Sequence, residues 1–249
     1  MSVFPPCSQK NLKEVLQKLL SVLDFDIWVR YQPVCKYLRR VDPIGRDSVL
    51  EVGSGSLGFT RYLKRKTTGL DKEFTGEISP HLHAQKGNVT HLPFQDQSFD
   101  HVISVDLLEH LPKTERVLAV EEVLRVARKG AIFVVPCSKE SEEAERRLAS
   151  LYQRHGKEIP EWLSEHLSNG LPTVEEILET IKTQNNDLKI TVSPNQSLWM
   201  WSFCMWLFTL GTISFFLTMV LFWVATPIIF PLSRLGQPYR RVFIVSKKN

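Results

Sequence analysis

Three glycines stand in a Gly-x-Gly-x-x-Gly spacing within Val49-Leu50-Glu51-Val52-Gly53-Ser54-Gly55-Ser56-Leu57-Gly58-Phe59-Thr60. The run before them is short and apolar, and the run after them has helical character. A strand, a tight turn and a helix start of this kind let a backbone approach a nucleotide closely and aim N–H groups at polar ligand atoms. Glu51 stands just before the turn. Asp71 follows about 20 residues on, at the end of a second apolar run, where an acid can accept both hydroxyls of a ribose. By itself the glycine spacing serves nicotinamide dinucleotides equally well. Asp106 and His110 fall together in Ser104-Val105-Asp106-Leu107-Leu108-Glu109-His110-Leu111-Pro112. His110 is the best candidate for a general base, and capping or packing the next helix is its structural alternative. Asp106 is a candidate for the pocket wall. His81, His83 and His91 read as solvated loop residues, and their spacing matches no zinc pattern, so no metal is expected. His166 lies further on, in a charged helical region that could face a substrate.

The elements that must position these residues follow from periodicity. Apolar spacing predicts a helix over Asn11–Leu23 and a continuation over Phe25–Arg40 that Pro33 breaks or restarts. These helices either cover one side of the nucleotide site or are plain packing helices. Strands are expected at Ser48–Val52, Thr67–Asp71, Asn88–Phe94, Ser98–Val105 and Ala131–Val135, with Glu73–Gln85 as loop. Helices are expected at Phe59–Lys66 and at Thr114–Ala127, the second closed by Gly130 as the residue after the cap. Strand–helix alternation argues for an α/β fold whose sheet carries helices on both faces. Glu140–Tyr152, Ile159–Leu167 and Val174–Lys182 read as helices of an insertion. Thr173-Val174-Glu175-Glu176 has the capping-box pattern. The insertion either shapes a substrate pocket or is a simple lid. Leu188–Val192 and Val242–Val245 read as the last strands.

Composition bounds the alternatives. Of 249 residues, 43% are hydrophobic and 23% charged, with a net charge of +4. That supports a packed core and gives no basis for nucleic acid as a partner. The four cysteines form no C-x-x-C pair and are expected to be free thiols. Residues 1–10 lack the apolar stretch of a cleaved secretory signal.

The marks downstream of the glycine loop decide among nucleotide sites. Glu51-Val52-Gly53-Ser54-Gly55, Asp71, Asn88-Val89-Thr90-His91-Leu92-Pro93-Phe94 with Ser98-Phe99-Asp100, the segment Ser104–Pro112, and Leu124–Gly130 before an apolar strand occur in that order. Together they resemble class I S-adenosylmethionine-dependent methyltransferases that act on small molecules and lipids. The resemblance covers residues 47–137 and extends more loosely to 190 and over 239–246. It implies a Rossmann-like seven-strand sheet with antiparallel sixth and seventh strands, and S-adenosyl-L-methionine as cofactor. It implies Glu51 at the cofactor's ammonium and Asp71 at its ribose. Gly53, Ser54, Gly55 and Gly58 would form its cradle, with Asn88, Val89 and Val105 along the same site and Asp106 and His110 as catalytic candidates. The family commonly has an acid where Asn88 stands, and Asn88 offers only its carbonyl oxygen to the adenine amine.

One stretch departs from a soluble enzyme. Ile190 to Ser233 holds no charged residue, and 198–232 is nearly all apolar with four tryptophans, followed by Arg234, Arg240 and Arg241. A spanning helix needs about 20 apolar residues. Strands on either side in one sheet would require the chain to return to the face it left. The expected form is a hydrophobic helical hairpin, Leu198–Leu210 and Ile213–Phe230 hinged at Gly211-Thr212, dipping into a membrane with the catalytic domain on the cytosolic side. A dimer interface or a large apolar pocket is the alternative. The expected organisation is 1–46 as N-terminal helices, 47–137 as cofactor-binding core, 138–187 as helical insertion and 188–249 as C-terminal strands carrying the anchor. The expected function is methyl transfer to a lipid or other membrane-partitioned small molecule. The alternatives are a membrane protein acceptor and a non-catalytic membrane-bound scaffold.

Overall fold

The computed structural model describes residues 25–184, 187–210 and 235–247. Its described elements are α1 (Phe25–Val41), β1 (Val49–Val52), β2 (Thr67–Asp71), β3 (Leu82–Lys86), β4 (Phe99–Val105), α2 (Lys113–Val126), β5 (Ala127–Pro136), α3 (Lys139–Arg154), α4 (Glu161–Asn169), α5 (Val174–Gln184), β6 (Lys189–Pro194), α6 (Leu198–Leu210) and β7 (Arg240–Ser246). The strands form one seven-stranded sheet in the order β3-β2-β1-β4-β5-β7-β6. All neighbours run parallel except β7, which is antiparallel to both β5 and β6. The chain order reverses between β1 and β4, and in open α/β sheets the crevice above that point is where ligands sit.

Alternate side chains of the strands build two separate cores. Leu50, Val52, Val102, Ala131, Phe133, Val135, Phe243 and Val245 pack with Ala119, Val120 and Val123 of α2 and with Ile177 and Ile181 of α5. Val49, Ile103, Val105, Ile132, Val134 and Val242 point the other way, against Tyr31, Val34, Tyr37 and Leu38 of α1 and against Phe59. The sheet is therefore the middle of three layers. A third cluster sits apart, where Phe25 and Val29 of α1, Leu148 of α3, Leu163 of α4 and Met200, Trp201 and Cys204 of α6 converge with Tyr239. This is a helical cap with its own core. Thr173 and Glu176 close the expected capping box at the start of α5, with bonds of 3.1 and 2.9 Å.

Several local expectations are corrected. Pro33 lies inside one continuous helix, α1. A mid-helix proline costs about 3 kcal/mol, and burial of Val29, Val34 and Leu38 on both sides of it overrides that cost. The helix expected over Phe59–Lys66 is a single 3-10 turn, Gly58–Arg61. The third strand is Leu82–Lys86, within the expected loop, while Asn88 and His91 make only an isolated bridge. β3 is an edge strand with one buried residue, Leu82, so it lacks the alternation that marks a half-buried strand. Gly130 does not terminate α2, because β5 begins directly at Ala127. Its role is close packing: a Cβ there would stand 2.6 Å from the Val245 carbonyl oxygen and 2.8 Å from the Tyr37 hydroxyl.

The expected hairpin is reached only in part. Its first arm is α6, whose Met200, Trp201, Cys204 and Met205 are buried in the cap. The second arm, 213–230, lies outside the described residues, as does the helix expected over 11–23. Among the described residues no helix is long and apolar enough to cross a membrane. Cys35, Cys137 and Cys204 are buried, and Cys35 and Cys137 are free thiols.

Gly130→Ala should destabilise the fold by about 1–3 kcal/mol, since backbone rather than a flexible side chain must give way. Urea unfolding should show a lowered midpoint with an unchanged slope.

Candidate active site

The glycine loop leaves β1 at its carboxyl end and takes positive φ at all three glycines: +69° at Gly53, +53° at Gly55 and +50° at Gly58. Gly58 is fixed by the acid before the loop. A Cβ at Gly58 would stand 2.0 Å from Glu51 Oε2, and Phe59 N–H donates to that same oxygen at 2.9 Å. Glu51 is fully buried, and its other oxygen, Oε1, has no hydrogen-bond partner. Burial pushes its carboxyl up to about 7, against the pull of Phe59 N–H, the Tyr31 hydroxyl and Arg61. Gly55 faces open space, with nothing within 4 Å of a built Cβ. Its N–H donates to Asp71 Oδ2 at 2.7 Å, which ties the end of β2 to the loop. The loop therefore has one free cradle position, one orphaned buried acceptor and one acid at the tip of β2. These suit the amino-acid and ribose ends of the expected cofactor.

A cleft of about 300 Å³ runs along this edge, lined by Gly53, Asp71, Lys72, Gly87, Val89, Asp106, Leu107, His110 and Glu165 among others. It gathers Gly53, Asp71, Val89, Asp106 and His110 from the sequence candidates. Glu51, Ser54, Gly55, Gly58, Asn88 and Val105 do not line it. Asn88 is exposed, and its Oδ1 accepts from Thr90 N–H at 3.1 Å, an Asx turn that uses the carbonyl expected at the adenine. Ser54 is buried, its hydroxyl donating to the Gly55 carbonyl at 2.9 Å. Val105 is buried in the sheet core with Tyr31 and Val134.

A second cavity, about 370 Å³, lies between the sheet edge and the cap. Its walls combine Asp26 and Arg30 of α1, Trp162 and His166 of α4, Trp201, Met205 and Phe208 of α6, Tyr239 and Arg240 before and in β7, and Asp106, Glu109 and His110. Asp106 and His110 line both cavities and so form the wall between them.

Asp106 has φ +45°, a left-handed conformation that Asp tolerates better than most residues. Arg240 Nε reaches its two oxygens at 3.0 and 2.9 Å, and Arg30 Nη1 lies 2.9 Å from Oδ2. A carboxylate committed to two guanidiniums is a fixed piece of wall. Asp106, a catalytic candidate by sequence, lines both cavities with its carboxylate paired to Arg240 and Arg30. His110 Nδ1 bonds Glu165 Oε2 at 2.6 Å, and its Nε2 lies 3.3 Å from Nε2 of His166. His166 Nδ1 bonds Glu145 Oε1 at 2.9 Å, and Tyr239 donates to that same oxygen at 2.5 Å. Glu109 is fully buried and neither of its oxygens has a partner. Burial, with Asp106 adding, pushes its carboxyl well above the usual range.

Sequence reasoning missed Asp26, Arg30, Glu109, Glu145, Tyr239 and Arg240. Only Glu109 carried a signal, as an acid in a strand-end segment directly beside His110. The others come from distant segments, and Asp26 and Arg240 are brought to 3.1 Å by folding alone.

Residues 50–135 match a family profile described as a methyltransferase domain. The phthiotriol/phenolphthiotriol dimycocerosates methyltransferase of Mycobacterium tuberculosis is 37% identical over 102 residues, a match covering 36% of this chain and 37% of that protein. The matches span 37% to 49% of the length of the curated relatives. Magnesium protoporphyrin IX methyltransferase from Synechocystis, solved with bound S-adenosylhomocysteine, superposes with a TM-score of 0.53 at 13% identity, covering 100% of this chain and 90% of that one. Phosphoethanolamine N-methyltransferase 2 from Haemonchus contortus, in complex with S-adenosyl-L-methionine, gives 0.52 at 15% identity, covering 86% and 52%. At such identities the likeness is one of fold.

Because the Glu51 carboxyl titrates higher in the fold than its ordinary 4.5, its contribution is fully present below pH 4.5 and is lost as pH rises through about 7. The stability of the protein relative to its Glu51→Gln variant should therefore fall by up to about 3 kcal/mol across that window. Paired urea titrations at several pH values measure this, and a pH-independent difference contradicts it.

Proposed function

We propose that this chain, which carries a class I S-adenosylmethionine-dependent methyltransferase domain, transfers a methyl group to a lipid or other largely apolar small molecule held under its helical cap. The observation that carries this reading is the shared wall: the cofactor cleft and the capped cavity meet at Asp106 and His110. S-adenosyl-L-methionine, when bound, supplies a methyl group on a sulfonium. Gly53 and Gly55 would lie along its amino-acid part, Glu51 near its ammonium, Asp71 at its ribose and Val89 beside its base. The residues of the chain then do the work of alignment, which supplies much of the acceleration in a displacement of this type. Arg240 and Arg30 hold Asp106 and so hold the wall.

The acceptor class follows from the lining. Trp162, Trp201, Met205 and Phe208 make one side of the cavity apolar, while Asp26, Arg30, Tyr239 and Arg240 give the other a polar end. That suits an amphipathic acceptor, and the name of the mycobacterial relative is that of a lipid methyltransferase. A membrane location is supported by α6. Trp199, Phe203, Trp206 and Leu210 are 53%, 46%, 41% and 48% exposed and repeat at helical spacing along one stripe. The sequence continues from there to Ser233 without a charge. An exposed aromatic stripe of this kind marks an interaction surface, and bilayer interfaces favour tryptophan. We assign this face to a lipid surface, with the catalytic domain on the cytosolic side.

Asp71→Ala should weaken S-adenosyl-L-methionine binding at least about 10-fold, the worth of a hydrogen bond to a charged group. Calorimetry reads this, and unchanged affinity removes Asp71 from the ribose. Incubation with labelled cofactor and a cell extract should place label in the lipid fraction, and label confined to protein would redirect the acceptor assignment. Replacing Trp199, Phe203 and Trp206 with Ser should reduce flotation of the full chain with anionic vesicles. A full-length chain that stays at the bottom of the gradient in its natural sequence removes the membrane assignment.

A further inference from the structure

The two histidines at the wall are arranged in a way that methyl transfer by alignment does not require. Each has its Nδ1 fixed by a carboxylate: His110 by Glu165 at 2.6 Å, His166 by Glu145 at 2.9 Å. Each therefore turns its Nε2 toward the other, 3.3 Å away. Carboxylates behind imidazoles in this way are the usual means of orienting histidine ligands and raising their basicity toward a metal. Beside them stands Glu109, fully buried, with both oxygens unpartnered. One ligand atom from each of Glu109, His110 and His166 lies within 4.8 Å of the others. A buried carboxyl without any donor is costly. The nearby guanidiniums send it no hydrogen bond, although the charge of Arg240 opposes part of the burial. Arg116 donates to the carbonyls of Leu108, Leu111, Asn169 and Gly170, and Arg240 donates to Asp106, Asp26 and Gln196.

The spacing has a direct coordination meaning. Zinc binds imidazole nitrogen at about 2.0–2.1 Å, and a tetrahedral angle then sets two such nitrogens about 3.3–3.4 Å apart. That is the separation of the two Nε2 atoms. We propose that Glu109, His110 and His166 form a site for one divalent transition-metal ion of zinc type, with its remaining coordination position open to the capped cavity. Two imidazoles and one carboxylate favour zinc, iron or cobalt over magnesium or calcium. Three protein ligands with one open position is the arrangement of a catalytic metal rather than a structural one. All three residues line the cavity, and His110 also lines the cofactor cleft. The metal would bind a hydroxyl oxygen of the acceptor, lower its pKa so that the proton passes to water, and hold the oxygen beside the cofactor cleft. That last role rests on the proposed function, whereas the metal site itself does not. The expectation of no metal rests on His81, His83 and His91, and none of them belongs to this cluster.

The test is titration of the metal-stripped full chain with Co²⁺, followed by visible absorption, and with Zn²⁺ by competition. The natural chain should take up one equivalent and show the intense ligand-field bands of a four-coordinate cobalt. His110→Ala and His166→Ala should each weaken binding at least about 100-fold. Glu165→Gln, at a side chain that is 46% exposed and so safe for folding, should weaken it about 10-fold. Thermal melts of each variant report folding separately. Less than one equivalent bound by the natural chain, or affinity indifferent to His110→Ala and Glu165→Gln in folded protein, overturns the site. Calorimetry with S-adenosyl-L-methionine on the same samples separates the two readings. Metal uptake without cofactor binding overturns the methyltransferase reading and leaves the site, and cofactor binding without metal uptake does the reverse.

Discussion

The buried guanidinium of Arg240 is the interaction on which the rest of the molecule depends. It stands at the start of β7, is 3% exposed, and bonds Asp106 with two oxygens and Asp26 at 3.1 Å. Asp106 directly follows β4 and Asp26 lies in the first turn of α1, so one side chain joins the sheet edge, the N-terminal helix and the returning strand. Burial opposes the charges, yet Arg240 and Arg30 hold Asp26 well below the usual carboxylate range, and the two acids hold Arg240 well above its own. A buried network of this type adds little net stability compared with an apolar core, but removing one member leaves the others uncompensated. Its value is positional. It fixes the wall between the two cavities, and the cap closes over it through Tyr239, whose ring stacks on Trp201 with centroids 4.0 Å apart.

The same logic appears at the glycine loop. A fully buried carboxyl, Glu51, takes the place of a side chain that Gly58 lacks, and its bond to Phe59 N–H sets the loop. Asp71 pins the loop from the neighbouring strand through Gly55 N–H. Acids that the resemblance assigns to the cofactor thus also shape the cradle. Binding and loop conformation share the same atoms, so neither acid can be changed without touching both.

Much of the fold was legible. β1, β2, β4, α2 and the three insertion helices fall within a few residues of their expected bounds, because each carries a clean apolar period or an end signal such as Thr173 and Glu176. β3 was not legible, since an edge strand with one buried residue has no period to read. The 3-10 turn after Gly58 was not legible either, because its length is set by a bond to Glu51. Of the site, Gly53, Asp71, Val89, Asp106 and His110 were legible as a row of marks along one sheet edge. Ser54, Asn88 and Val105 belong to the same marks, but their side chains are spent on local bonds or on the core.

Sequence by itself determined the sheet apart from its edge strand β3, its two apolar faces and the edge that carries the glycine loop. Those features follow from local spacing, which fixes which way each side chain points once a strand or helix forms. The tertiary structure alone decided the cap, the wall and the cluster at Glu109, His110 and His166. Those depend on residues such as Asp26, Glu145, His166 and Arg240, which are far apart in the chain and have no period in common. Their charges and lone pairs acquire meaning only when folding removes water and leaves each of them to find a partner.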